Sequence, residues 1–195
     1  MTIQTVSLAA DLAMLSSGTA LVVLAVAAAV QLVRRRRRSA AGLACAAGAL
    51  IAVYGAALVA AGLAGSARQL RPGDTKCFDD WCAAMVTARQ DVASGTLLVD
   101  VQLQNRGRGR AMRANLARAY VELPGGGRVA PRDGSALQAL LQPGERADVS
   151  LTFLVPSGQR GVRFVVVEGA GTLGPGTFEI GGEGSPFHGV AGWPL

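Results

Sequence analysis

The sequence predicts a two-sheet β-sandwich preceded by an α-helical transmembrane hairpin, and three observations carry that expectation. No charged residue occurs between Asp11 and Arg34, or again between Arg38 and Arg68. Five consecutive arginines, Arg34, Arg35, Arg36, Arg37 and Arg38, separate these two apolar runs. Beyond Arg68 the hydrophobic pattern changes to strand-like alternation, broken by turns rich in glycine and proline. The 195 residues thus divide into a two-helix anchor over 1–67, a linker over 68–76 and a sandwich over 77–195.

The anchor rests on length. An uncharged helix over residues 12–33 rises about 33 Å at ~1.5 Å per residue, enough for a ~30 Å hydrocarbon core. A second helix over 39–64 has the same character, and its apolar run is long enough to tilt or to extend past the core. The short loop 34–38 implies antiparallel neighbours, and its arginines stay cytoplasmic under the positive-inside rule. The expected location is therefore the plasma (inner) membrane, multi-pass, with both the N- and C-termini extracytoplasmic. The competing reading is a signal peptide, in which the arginines precede an apolar run ending at Gly65, Ser66 and Ala67. That run exceeds the ~7–15 residues of a signal peptide and follows another spanning stretch, so an uncleaved anchor is expected.

The second helix also carries Ala44, Gly48, Ala52, Ala56, Ala60 and Ala64 at four-residue spacing. Such a stripe lets helices approach closely, with the first helix as its economical partner, although alanine-rich sequence produces stripes by chance. Cys45 reads as an inert buried thiol in preference to an acylation site.

Charge distribution bounds the partners. Of the net +6, the arginine run contributes five positive charges and Asp11 removes one, while residues 68–195 hold fourteen basic against twelve acidic residues. A nucleic-acid domain would show its excess on the soluble fold, so no nucleic acid is expected. The arginine loop is a topology signal that also attracts anionic headgroups, at roughly 1 kcal/mol per basic residue. The expected partners are membrane lipids and other membrane or envelope proteins.

In the sandwich, Leu97, Val99, Val101 and Leu103 alternate with Leu98, Asp100, Gln102 and Gln104 as a half-buried strand does. Val149, Leu151, Phe153 and Val155 do the same, as do Ala117, Ala119, Val121 and Leu123. Residues 162–167 are nearly all apolar and predict a more central strand, and residues 83–90 and 177–180 are weaker candidates. Turns fall at 124–127, 143–144 and 156–158, and residues 135–141 leave room for one short helical turn. About seven strands without amphipathic helices mean a two-sheet sandwich.

Three stretches then carry a resemblance: 97–105 (LLVDVQLQN), 141–145 (LQPGE) and 149–156 (VSLTFLVP). Together they resemble a bacterial immunoglobulin-like, telokin-like domain family, in which a strand ending in Asn precedes a variable region and a PGE turn leads into a strand closed by Pro. The resemblance covers roughly residues 77–180, and the stretch 184–188 (GSPFH) is similar to the tail of some anchored relatives. It implies an immunoglobulin-like sandwich, anchored or secreted, with no shared catalytic residues.

Candidate chemistry is sparse. Cys77 and Cys82 suit a structural disulfide in an oxidising compartment, worth roughly 2 kcal/mol for so small a loop. Redox activity is the competing reading, without the usual Cys-x-x-Cys spacing. A metal held by Asp79, Asp80 and the thiolates would mix hard and soft ligands in an unfamiliar way. Arg106, Arg108, Arg110 and Arg113 form the soluble part's one basic cluster, either a solvated loop or a contact for anionic headgroups or an acidic partner. His188 is the sole histidine, and residues 125–127 lack the Lys-Ser/Thr ending of a phosphate loop. The expectation is a non-catalytic interaction or assembly module without cofactors, with a redox-responsive envelope protein as the alternative.

Overall fold

The computed structural model describes residues 2–4, 8–64, 68–91, 93–156, 159, 161–169, 178, 180 and 189–195. They fall into two units, a helical one (Val6–Ser66 with Gly174–His188) and a β one (Met1–Thr5, Ala67–Leu173 and Gly189–Leu195).

The helical unit holds α1 (Leu8–Val33) and α2 (Arg37–Ala64), which pack together along their length. Their less exposed positions recur at alternating three- and four-residue steps: Ala10, Met14, Ser17, Leu21, Leu24, Ala28 and Gln31 on α1, and Ala40, Leu43, Ala47, Leu50, Tyr54, Ala57 and Ala61 on α2. That is the seam of an antiparallel coiled pair. The stripe from Ala44 to Ala64 lies outside this seam and is exposed, so its expected packing on the first helix is corrected. Leucines at 21, 24, 43 and 50 bury more apolar surface at the seam than alanines would. The connecting loop is shorter than expected. Arg35 takes a φ of 56° after α1, and Arg37 and Arg38 already belong to α2.

Both helices are long and apolar enough to cross a membrane, by length and composition only, and α1 lies near the N-terminus. The expectation of a multi-pass inner-membrane chain with both termini extracytoplasmic is therefore corrected. A signal sequence and a hairpin meet this description equally. Helix length fixes neither the number of crossings nor the side on which a terminus lies.

The β unit is a sandwich of two sheets. The first has the order β1-β2-β3-β4-β7, built from Thr2–Gln4, Thr75–Phe78, Trp81–Asp91, Thr96–Asn105 and Arg146–Leu154. The second has the order β6-β5-β8-β9, from Arg128–Val129, Ala117–Glu122, Arg163–Glu168 and Trp193–Pro194. Pairing is antiparallel throughout except between β1 and β2.

The predicted alternation places the core. Leu97, Val99, Val101 and Leu103 of β4 face Ala117, Ala119 and Val121 of β5 across a shared interior, and Phe153 meets Phe164 edge to face at 6.0 Å. On the outer face of the first sheet, Asp100 accepts from Arg89 at 2.9 Å and from Ser150 at 2.6 Å, so that face is solvated. Strand β8 is central, as its apolar run predicts. Phe164 and Val166 enter the main core, while Val165 and Val167 form a second cluster with Tyr120 on the other face. The short helical turn appears as a 3-10 helix at Ser135–Gln138. The weak candidate at 177–180 and the segment 184–188 lie largely or wholly outside the described residues.

Two segments behave differently from expectation. Residues 68–76, read as a linker, contribute Leu70 to the core and Thr75 and Lys76 to β2. The last residues return to close the sandwich: Trp193 is buried against Phe164, and Gly192 exchanges backbone hydrogen bonds with Arg68 and Leu70. A Cβ at position 192 would stand 2.7 Å from the Phe164 carbonyl oxygen, so the close approach requires glycine.

Candidate interaction surface

One end of the sandwich gathers most of the residues singled out from the sequence. It begins with the hairpin of β2 and β3, in which Cys77 stands opposite Cys82 and Phe78 opposite Trp81. The register leaves a two-residue loop, Asp79-Asp80, and Asp79 takes a φ of 53°, a conformation Asp tolerates better than most residues. The register sets the two cysteines directly opposite each other, and Cys77 and Cys82 are bridged. Both are fully buried. The bridge consumes the two thiolates on which the metal reading depended, and the described residues hold no group of three or more His, Cys, Asp or Glu side chains able to bind a metal.

The adjoining loop is organised by Asn105, the last residue of β4. The alternation that turns Leu97 to Leu103 inward also turns Asn105 inward, and it is 0% exposed. Its Oδ1 accepts from the Gly107 N–H at 2.9 Å, while Nδ2 donates to the carbonyls of Arg110 and Leu141, each at 3.0 Å. Its own N–H donates to the Glu145 carbonyl and its carbonyl accepts from Gly144, whose φ of 79° makes the turn. The Glu145 carboxylate accepts from the Gln142 N–H at 2.6 Å and so closes that turn on itself. Two of the stretches that carried the family resemblance, 97–105 and 141–145, therefore meet at one buried amide, while 149–154 of the third pairs along β4 with residues 96–101.

From this anchor the chain runs through residues 106–113 with Arg106, Arg108, Arg110 and Arg113 exposed. The Arg106 N–H donates to the Asp80 carbonyl at 2.7 Å, and its guanidinium lies 3.9 Å from Cys77 Sγ, over the bridge. Met112 and Leu141 exchange both backbone hydrogen bonds at 2.9 Å, and the Gln138 amide donates to the Asn115 carbonyl. The antiparallel bridge between Met112 and Leu141 joins the two segments, and Arg113 and Leu140 each adjoin a bridged residue. Leu140 and Leu116 protrude into solvent, 51% and 56% exposed.

Glu168, at the end of β8, has its carboxyl held above the ordinary range by partial desolvation and by the nearby negative charge of Asp79. Lys76, the chain's one lysine, is fully buried in the same region. Its Nζ donates to the carbonyls of Val166 at 2.7 Å and Ala191 at 3.1 Å, and lies 5.2 Å from the Phe78 ring centroid.

The remaining sequence candidates fall elsewhere. Arg34, Arg35 and Arg36 form the interhelical loop, and Cys45 is a free, exposed thiol on α2 where a buried one was expected. The glycines at 125–127 make the β5–β6 turn, in which Leu123 and Gly127 are hydrogen-bonded. His188 lies outside the described residues. Sequence reasoning missed the roles of Lys76, Asn105, Leu116 and Leu140. For Asn105 a signal existed, because a polar residue at an inward position of an alternating strand marks a buried hydrogen-bond hub. For Lys76 the signal was its uniqueness among eighteen arginines.

No family model matches the chain, and no curated protein does. Among solved structures the chain is similar to a secreted protein of Mycobacterium tuberculosis, MPT63, whose crystal structure was determined at 1.5 Å. The two are 10% identical with a TM-score of 0.43, over 67% of this chain and 100% of that one, a likeness that carries no argument about function.

Proposed function

We propose that this chain is a non-catalytic, membrane-associated interaction or assembly module whose immunoglobulin-like sandwich works in an oxidising, extracytoplasmic compartment as a subunit of an envelope complex. The observation that carries this reading is the buried bridge between Cys77 and Cys82 beneath a loop of exposed arginines. Such a bridge persists where thiols are not kept reduced. The apolar helices support membrane association, and the meeting of 97–105 and 141–145 at Asn105, with 149–154 paired along β4, supports the immunoglobulin-like, telokin-like kinship. The polar groups buried at this end, Asn105 and Lys76, are engaged with backbone carbonyls, which favours a structural over a catalytic use.

The redox-responsive alternative has less support. Exchange requires a thiolate to reach a sulfur along the S–S axis, and both sulfurs lie in residues at most 1% exposed. Affinity capture of the full chain after crosslinking in its native host tests the main reading. A reproducible co-purifying envelope protein is expected, and a strictly monomeric particle overturns it. Mass spectrometry after blocking free thiols tests the compartment, because finding Cys77 and Cys82 blocked would remove its basis.

A further inference from the structure

We propose that the arginine loop and the two protruding leucines form a docking surface for an anionic phospholipid layer. This inference rests on the membrane-associated reading above and names the chemistry that one end of the sandwich recognises. Three features of the surface argue for it.

First, the cations are all guanidinium groups: Arg106, Arg108, Arg110 and Arg113. A planar fork of donors matches phosphate oxygens in pairs, where an ammonium offers only a point charge. Second, the loop is pre-organised. Asn105 holds both Gly107 and Arg110, Asp80 holds Arg106, and Leu141 holds Met112. The backbone therefore loses little freedom when the arginines engage a partner.

Third, the surface is amphipathic. Leu140 and Arg113 each adjoin the Met112–Leu141 bridge, Leu116 follows Arg113 on the same segment, and both leucines are more than half exposed. Cations next to protruding aliphatic side chains suit a boundary of phosphates over hydrocarbon. A purely acidic peptide would leave the leucines without a counterpart.

The test uses the full chain in lipid nanodiscs of either phosphatidylcholine alone or phosphatidylcholine with phosphatidylglycerol. Amide hydrogen exchange is followed by mass spectrometry over residues 106–116 and 138–141. We expect exchange to slow several-fold in the anionic discs, to recover at high salt, and to show no difference between discs in the triple variant R108Q/R110Q/R113Q. In that variant β4 exchange serves as the control for folding. Equal exchange in the two kinds of disc overturns the proposal. So does equal protection by polyglutamate added to neutral discs, which would assign the surface to an acidic polypeptide. Should the chain stay outside the discs, the membrane reading of the helices falls. Flotation of the same chain on vesicles of the two compositions then still decides the surface: preference for the anionic vesicles upholds it, and indifference overturns it.

Discussion

At the scale of single residues, two polar side chains decide how the active-looking end of the sandwich is built. Asn105 is a buried amide with both ends engaged; removing it strands the Gly107 N–H and the Arg110 carbonyl and leaves the Leu141 carbonyl with the Met112 N–H alone. Leaving buried donors and acceptors unpaired costs far more than the bonds themselves contribute, so Asn105→Ala should destabilise the sandwich by about 3 kcal/mol. Trp81 and Trp193 are the chain's two tryptophans and both lie in this core, so the denaturant midpoint of tryptophan fluorescence reads the loss. Glu168 offers a prediction of opposite sign. Its folded-state pKa is raised, so the folded chain holds that proton more tightly than the unfolded chain does. The resulting stability is present below the unfolded pKa and is lost as pH rises through the folded one. Glu168→Gln should therefore raise the melting temperature at neutral pH, with the gain shrinking on acidification through the carboxylate range. Asp79→Asn should relieve part of the same penalty, since it removes the neighbouring charge while keeping a residue that tolerates positive φ.

At the scale of elements, the strand β9 is the least expected part of the fold and among the most important. It spans two residues, yet it brings Trp193 into the core against Phe164 with centroids 5.6 Å apart. The indole N–H donates to the Asp74 carbonyl, and the Leu195 N–H to that of Val162. Trp193→Ala should cost about 4 kcal/mol, as large-to-small changes of buried aromatics do, and should lower the urea midpoint with the slope unchanged. Such a strand escapes periodicity because two residues carry no period. The longer strands were legible for the converse reason: β4 alternates over ten residues, and only one phase of that pattern buries its leucines and valines. The helices show a third case. A four-residue stripe of small residues is visible in α2, yet the seam follows the larger side chains, because contact area and not sequence regularity selects the face that packs.

At the scale of the whole molecule, two units share one chain and differ in what stabilises them. The sandwich buries a core shared by both sheets, while α1 and α2 leave Leu12, Leu15, Val22, Val23, Ile51 and Val53 exposed. Their melting should not coincide. In detergent, tryptophan fluorescence should report a cooperative loss of the sandwich while helical circular dichroism persists to higher temperature, and coincident transitions would show the units to be coupled. Helix length and charge spacing, the alternation of β4 and β7, the apolar run of β8 and the close pair of cysteines were determined by the sequence alone, since each is a local consequence of period, reach or compartment. The tertiary structure alone decided that Leu70 and Trp193 complete the core and that Asn105 ties the distant 141–145 turn to the 106–110 loop. It also decided that the single lysine is buried, and that Met112 and Leu141, the neighbours of Arg113 and Leu140, are bridged. These depend on residues far apart in the chain meeting across the sandwich, and no local pattern records which of them will meet.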